Sequence, residues 1–183
     1  MDWGKRMKVL GIDPGTGLSS PLGLVFYDHD TGTILWYGSI GEEFKKLPAI
    51  KRIQKITRKV VEIVDILTVS DPDPLICIEN FVMRGKGGET LQMLIGAIIS
   101  QLPQGSVIIQ PYNTSVKKAV GGTGKADKLQ VAQGVRNHFS PCTSAVITID
   151  ELIAKEAWDI LDALAIGITG AQIYEADPKC YQG

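Results

Sequence analysis

Residues 153–170, IAKEAWDILDALAIGITG, constrain this chain more than any other stretch. From Ile160 onward nearly every face is apolar, through Leu161, Ala163, Leu164, Ala165, Ile166 and Ile168. A helix without a polar face belongs inside a core. Yet Asp159 and Asp162 sit in it, one turn apart on one face. Burying carboxylates is costly unless a cation or hydrogen-bond donors receive them. Taken alone, the pair reads as two acids on the helix's solvent side or capping a neighbouring helix. Two further acids, each closing an apolar strand elsewhere, argue instead for a shared site.

The first of these strands is 7–12, MKVLGI, which ends at Asp13 and the turn sequence PGTG. Segments 22–27 and 33–40 read as two more strands joined through DHDTG, an antiparallel meander. A stripe of Ile50, Ile53, Ile56, Val60, Ile63, Val64 and Leu67 predicts a helix over 47–67. Lys51, Arg52, Lys55, Arg58 and Lys59 cover the rest of it, as a solvated face or a DNA contact. LICI at 75–78 is apolar throughout, as an inner parallel strand is, and it ends at Glu79. Then come a basic loop, a helix over 89–102 and a strand over 106–110. A short helix over 111–120 follows, with Asn113 or Thr114 as its cap. After a glycine-rich break, 126–139 reads as helix and 140–148 as linker or irregular strand. Nothing is assigned beyond Gly170.

A meander followed by βα crossovers gives an α/β fold, a five-stranded mixed sheet with helices on both faces. With the first and fourth strands as parallel neighbours, Asp13 and Glu79 stand side by side at the carboxyl end. Open sheets hold ligands there. The 183 residues, 44% of them hydrophobic, suit a single domain over 1–183 with its core at about 7–170. The net charge of −1 excludes a globally basic protein, so a nucleic-acid partner requires a local patch or metal ions. Cys77, Cys142 and Cys180 are odd in number and lack metal-ligand spacing, which fits a reducing, cytoplasmic setting. No signal peptide or membrane span is expected. His29 and His138 stand alone in the sequence, leaving no zinc cluster. GGTGK at 121–125 departs from a P-loop, with Ala119 and Ala126 where glycine and Ser/Thr are required.

Four carboxylates at one place repel and titrate as a set. Hard divalent ions, Mg²⁺ or Mn²⁺, relieve that conflict with oxygen ligands, and two such ions suit in-line phosphoryl displacement.

Four segments resemble RuvC-type Holliday junction resolvases of the RNase H-like (retroviral integrase) superfamily. They are LGIDPGTG at 10–17, ICIENF at 76–81, QPYNTSVKKAVGGTGKADKLQV at 110–131 and DILDALAIGIT at 159–169. The resemblance implies an endonuclease that cuts four-way junction DNA by paired symmetric nicks, leaving 5′-phosphate and 3′-hydroxyl ends. It implies two Mg²⁺ or Mn²⁺ ions held by Asp13, Glu79, Asp159 and Asp162, with Lys117 and Lys128 near the scissile phosphate. It also implies a homodimer and allows a branch-migration helicase as partner. Phe81 stands as junction wedge or as core, since the wedge usually lies further from the acid. Arg84, Lys86, Lys118 and Lys125 join the lysines as DNA contacts. The turn GTGLSSPLG looks one residue longer than usual. The rival readings are another RNase H-like nuclease acting on RNA or RNA/DNA hybrid, an actin-like ATPase domain, or a junction-binding protein without catalysis.

Overall fold

The structure, a computed structural model, describes residues 6–69, 73–81 and 88–181. Five strands form one mixed sheet: β1 (Lys8–Asp13), β2 (Leu22–Asp28), β3 (Thr33–Ile40), β4 (Leu75–Ile78) and β5 (Ile108–Ile109). Their order is β3-β2-β1-β4-β5. The first three strands are antiparallel neighbours, while β4 runs parallel to β1 and β5 parallel to β4. Among the described residues there are six α-helices: α1 (Ala49–Thr68), α2 (Gly88–Ile99), α3 (Asn113–Gly121), α4 (Lys128–His138), α5 (Thr143–Ala154) and α6 (Trp158–Ala176). No described helix is long and apolar enough to cross a membrane.

The period-two geometry of strands explains why the inner strands are apolar on every residue. Val9, Val25, Tyr27, Leu75, Cys77 and Ile109 point into one core, against α3 to α6. Leu10, Ile12, Leu22, Leu24, Phe26, Ile76 and Ile78 point into the other, against α1 and α2. Helices therefore lie on both faces, as the α/β reading required. Cys77 is a fully buried core residue. Asp28 closes β2 as a buried anion. Burial pushes its carboxyl up, but Lys8 and the Thr31 backbone and hydroxyl hold it below the ordinary range.

Three expectations need correction. Residues 140–142 are linker, but 143–148 are neither linker nor strand, because α5 begins at Thr143. The β-branched run of Val146, Ile147, Thr148 and Ile149 imitates a strand. Ala145, Ile149 and Leu152 nevertheless bury one helical face in the core, and tertiary packing overrides local propensity. The acid-bearing helix does not start at Ile153. Glu156 takes a left-handed φ of 52° and separates α5 from α6, which then runs past Gly170 to Ala176. Finally, neither Asn113 nor Thr114 caps α3. Tyr112 occupies the cap position without a side-chain hydrogen bond.

Candidate active site

The site grows from the pairing of β1 with β4. Ile12 stands opposite Ile78, and the Glu79 N–H donates to the Ile12 carbonyl at 3.3 Å. Asp13 and Glu79 thus leave adjacent strand ends together. Helix α6 lies across the same sheet face at backbone contact. A Cβ on Gly11 would stand 2.1 Å from the Ala163 carbonyl oxygen, and one on Gly23 2.0 Å from that of Asp159. The missing side chains let the helix sink until Asp162 faces Asp13.

Asp13, Glu79 and Asp162 line one cleft with Asn113, Lys117, Val116, Val131 and Ile166. All three acids are half-buried. Burial, then Asp162, Glu79 and Asp159, push the Asp13 carboxyl well above the ordinary range, with Lys128 opposing. Burial also raises Glu79; the Asn113 hydrogen bond pulls it down, Asp162 pushes it up, and Lys117 pulls it down. Burial raises Asp162 against the pull of Lys128 and Lys117, with Asp159 adding to the rise. Asp159 is set apart. It accepts a hydrogen bond from Ser39 of β3 and borders a second groove with Pro21, Ser39, Glu42 and Glu43.

Two lysines face this acid group from different helices. Lys117 stands on α3, whose start is tied beside Glu79 by the Asn80 N–H donating to the Pro111 carbonyl at 2.8 Å. Lys128 opens α4. Asp127 caps that helix, accepting from the Gln130 N–H at 2.8 Å while its own N–H donates to Gln130 Oε1 at 2.9 Å. That reciprocal box fixes the first turn. It leaves the exposed Lys128 ammonium 5.7 Å from the centroid of the Trp158 ring.

The donor set fits a hard divalent cation. It consists of carboxylate oxygens that burial and mutual repulsion leave under-compensated, without imidazole or thiol. Among the described residues no group of three His, Cys, Asp or Glu side chains stands close enough together to hold a metal ion by itself. Mg²⁺ keeps several waters and takes one or two carboxylates beside substrate phosphates, so a loose acid cluster is what it requires.

The proposed DNA contacts divide. Lys118 and Lys125 are exposed beside the cleft-forming helices. Phe81 is half-buried and packs against the α1/α2 core. Arg84 and Lys86 lie outside the described residues. The GGTGK segment ends α3, with Gly122 left-handed at φ 80°, and turns into α4. The two histidines do meet, ring centroids 6.0 Å apart, in a cleft that Cys142 also lines. That cleft is at the far end of the sheet, next to Asp28.

Ser39, Trp158 and the Asp127–Gln130 box support the site without having been singled out beforehand, and Asn113, expected as a helix cap, lines the cleft beside Glu79 instead. The D-x-x-Q spacing of the box was readable as a helix start. Ser39 and Trp158 carry no local signal, because only the fold brings them to Asp159 and Lys128.

A five-stranded mixed sheet, with acids at the carboxyl ends of β1 and β4 and a helix carrying two more across its face, defines an RNase H-like nuclease domain. The family described as Crossover junction endodeoxyribonuclease RuvC matches residues 9–170. The enzyme of that description from Geotalea uraniireducens is 31% identical over 177 residues, covering 90% of this chain and 88% of the relative. Its counterpart from Pelotomaculum thermopropionicum is 25% identical over 175 residues, covering 94% and 98%. The solved structure of T. thermophilus RuvC in complex with Holliday junction substrate superposes with a TM-score of 0.66 at 21% identity, covering 93% and 96%. This chain belongs to the RuvC family.

Proposed function

We propose that this protein is a crossover junction endodeoxyribonuclease that resolves four-way DNA junctions by paired, symmetric nicks. The observation that carries the reading is the convergence of Asp13, Glu79 and Asp162 in one cleft faced by Lys117 and Lys128. Asp13, Glu79 and Asp162, with Asp159 at the rim, would hold two divalent ions, Mg²⁺ or Mn²⁺. Such ions supply Lewis-acid activation of water and charge neutralisation at the leaving oxygen.

The chain's own groups do the rest. Lys117 inside the cleft and Lys128 at its mouth give point positive charges for the scissile phosphate and the charge that grows on it. Asn113, beside Glu79 in the cleft, favours its ionised form. Water oxygen bonds to phosphorus while the P–O3′ bond breaks. The attacking water gives up a proton, the departing electron pair stays on O3′, and O3′ takes up a proton, leaving 5′-phosphate and 3′-hydroxyl ends. A four-way junction has two equivalent strands to cut, so a homodimer with a two-fold axis presents the matched second site. A branch-migration helicase is a compatible further partner.

The test is nicking of a mobile four-way junction with Mg²⁺, beside a linear duplex and an RNA/DNA hybrid of the same sequence. Paired nicks in the junction with the duplex untouched are expected. Asp13→Asn should lower nicking by about 10³-fold or more while binding in Ca²⁺ persists. Cutting of the hybrid alone would overturn the junction reading in favour of another RNase H-like specificity.

A further inference from the structure

The first half of α1 carries charge that the catalytic cleft does not use. Residues 49–59 hold five cations, Lys51, Arg52, Lys55, Arg58 and Lys59, and no acid. Glu62 and Asp65 appear only in the second half of the helix. This order runs against the helix dipole, which favours acids at the N-terminus and cations at the C-terminus. It also departs from ordinary solvated helices, where Glu and Lys alternate as i,i+4 pairs.

Arg52 has a structural explanation. It is buried, and its guanidinium donates to the Thr16 carbonyl at 2.7 Å and the Leu47 carbonyl at 2.8 Å. That bolts the start of α1 to the turn following Asp13. The other four cations are exposed, and none has an ion pair among the described residues. Lys51, Lys55 and Arg58 share a shallow groove with Leu47 and Gln54. Lys46, exposed just upstream, extends the same strip.

We propose that this α1 strip is a second nucleic-acid surface, which grips the phosphate backbone of a duplex arm and takes no part in the chemistry. The proposal rests on the junction reading given above. Lys51 to Lys59 spans about 12 Å of helix axis, over which duplex DNA spreads about seven phosphate charges. The occupant is a duplex arm because an unpaired row of point charges complements a phosphate row without base-specific geometry. The strip begins at the same end of the sheet as Asp13 but lies on the face opposite α6. An arm held there would leave the cleft free.

The test compares wild type with the triple variant Lys51→Gln, Lys55→Gln, Arg58→Gln. A charge-keeping variant, Lys51→Arg, Lys55→Arg, Arg58→Lys, serves as control. Junction affinity is measured in Ca²⁺ across a salt series, and nicking in Mg²⁺ at saturating enzyme. The Gln variant should lose about 2.7 from the slope of log K against log salt, at about 0.9 per phosphate contact. Its affinity at 0.1 M salt should weaken tenfold or more. Its nicking rate at saturation should stay within twofold, and the charge-keeping variant should match wild type in both. An unchanged slope, with wild type binding and nicking normally, overturns the proposal and leaves the junction reading intact; that is the result if an acidic protein is what docks there. Failure of wild type to bind or cut the junction overturns the junction reading itself, and this proposal with it.

Discussion

Gly11→Ala adds a single methyl group and should disable the site from a distance. The new carbon would stand 2.1 Å from the Ala163 carbonyl oxygen, 3.0 Å from its carbonyl carbon and 3.3 Å from the Gly167 nitrogen. All three are backbone atoms, so no side chain can swing aside. Restoring an ordinary separation of about 3.5 Å requires α6 to retreat by about 1.4 Å along the line of contact. Overpacking of this kind costs about 3 kcal/mol, which lowers the melting temperature of a protein this size by about 6–12 °C. Asp159 and Asp162 move with the helix, and a misplacement of about 1 Å costs about 10²-fold in rate. The assay is single-turnover nicking of a four-way junction, at a temperature where calorimetry shows both proteins folded. Gly96→Ala is the control. It lies in α2 with nothing within 4 Å of the new carbon, and should be neutral or stabilising by up to about 1 kcal/mol. Nicking by Gly11→Ala within twofold of wild type would refute the argument that backbone contact sets the site.

Three other outcomes follow from the charges. Asp13 carries a carboxyl raised by burial and by its acidic neighbours, so the folded state holds a proton there more readily than the unfolded state. Stability therefore falls as pH rises from the ordinary carboxylate value, about 3.9, through the raised one. In EDTA at neutral pH, Asp13→Asn should be more stable than wild type by about 1–2 kcal/mol by calorimetry, and the gap should close in acid. Asn113→Ala removes a hydrogen bond that favours ionised Glu79, so the acidic limb of the nicking rate against pH should move to higher pH. His138 is held below the ordinary imidazole value by burial and by His29, against Glu175. Its contribution to stability is full above about pH 6.5 and is lost as pH falls. Urea titrations between pH 7 and 5 should give a flatter profile for His138→Gln than for wild type.

The meander, β4 and α1 were legible because each carries an unbroken apolar pattern of the right period. The strand over 33–40 and LICI at 75–78 match the observed elements residue for residue. The acids Asp13 and Glu79 were legible for a related reason, since each ends such a run. Helix α5 was not, because its β-branched residues have strand propensity and only tertiary contacts, with α4, α6 and β3, decide against it. Asn113 was misread for a physical reason too. At a helix start, Asn serves equally as a cap or as a donor to something across the gap, and the choice lies with Glu79, more than thirty residues earlier. The separation of Asp159 from the other three acids was likewise hidden. Ser39 draws it aside, and nothing near Asp159 in the sequence announces a strand hydroxyl.

The contact of α6 with Gly11 and Gly23 bears on how such a protein diverges. Main-chain atoms are the same whatever the sequence, so these two contacts bring the helix down to the sheet whichever aliphatic residues fill the rest of either core. A spacer without side chains is thus a gauge block, indifferent to drift around it and intolerant of change at its own two positions. Anyone wishing to widen the acid cluster for a larger ion would begin at residues 11 and 23, where the sheet meets the backbone of the acid-bearing helix.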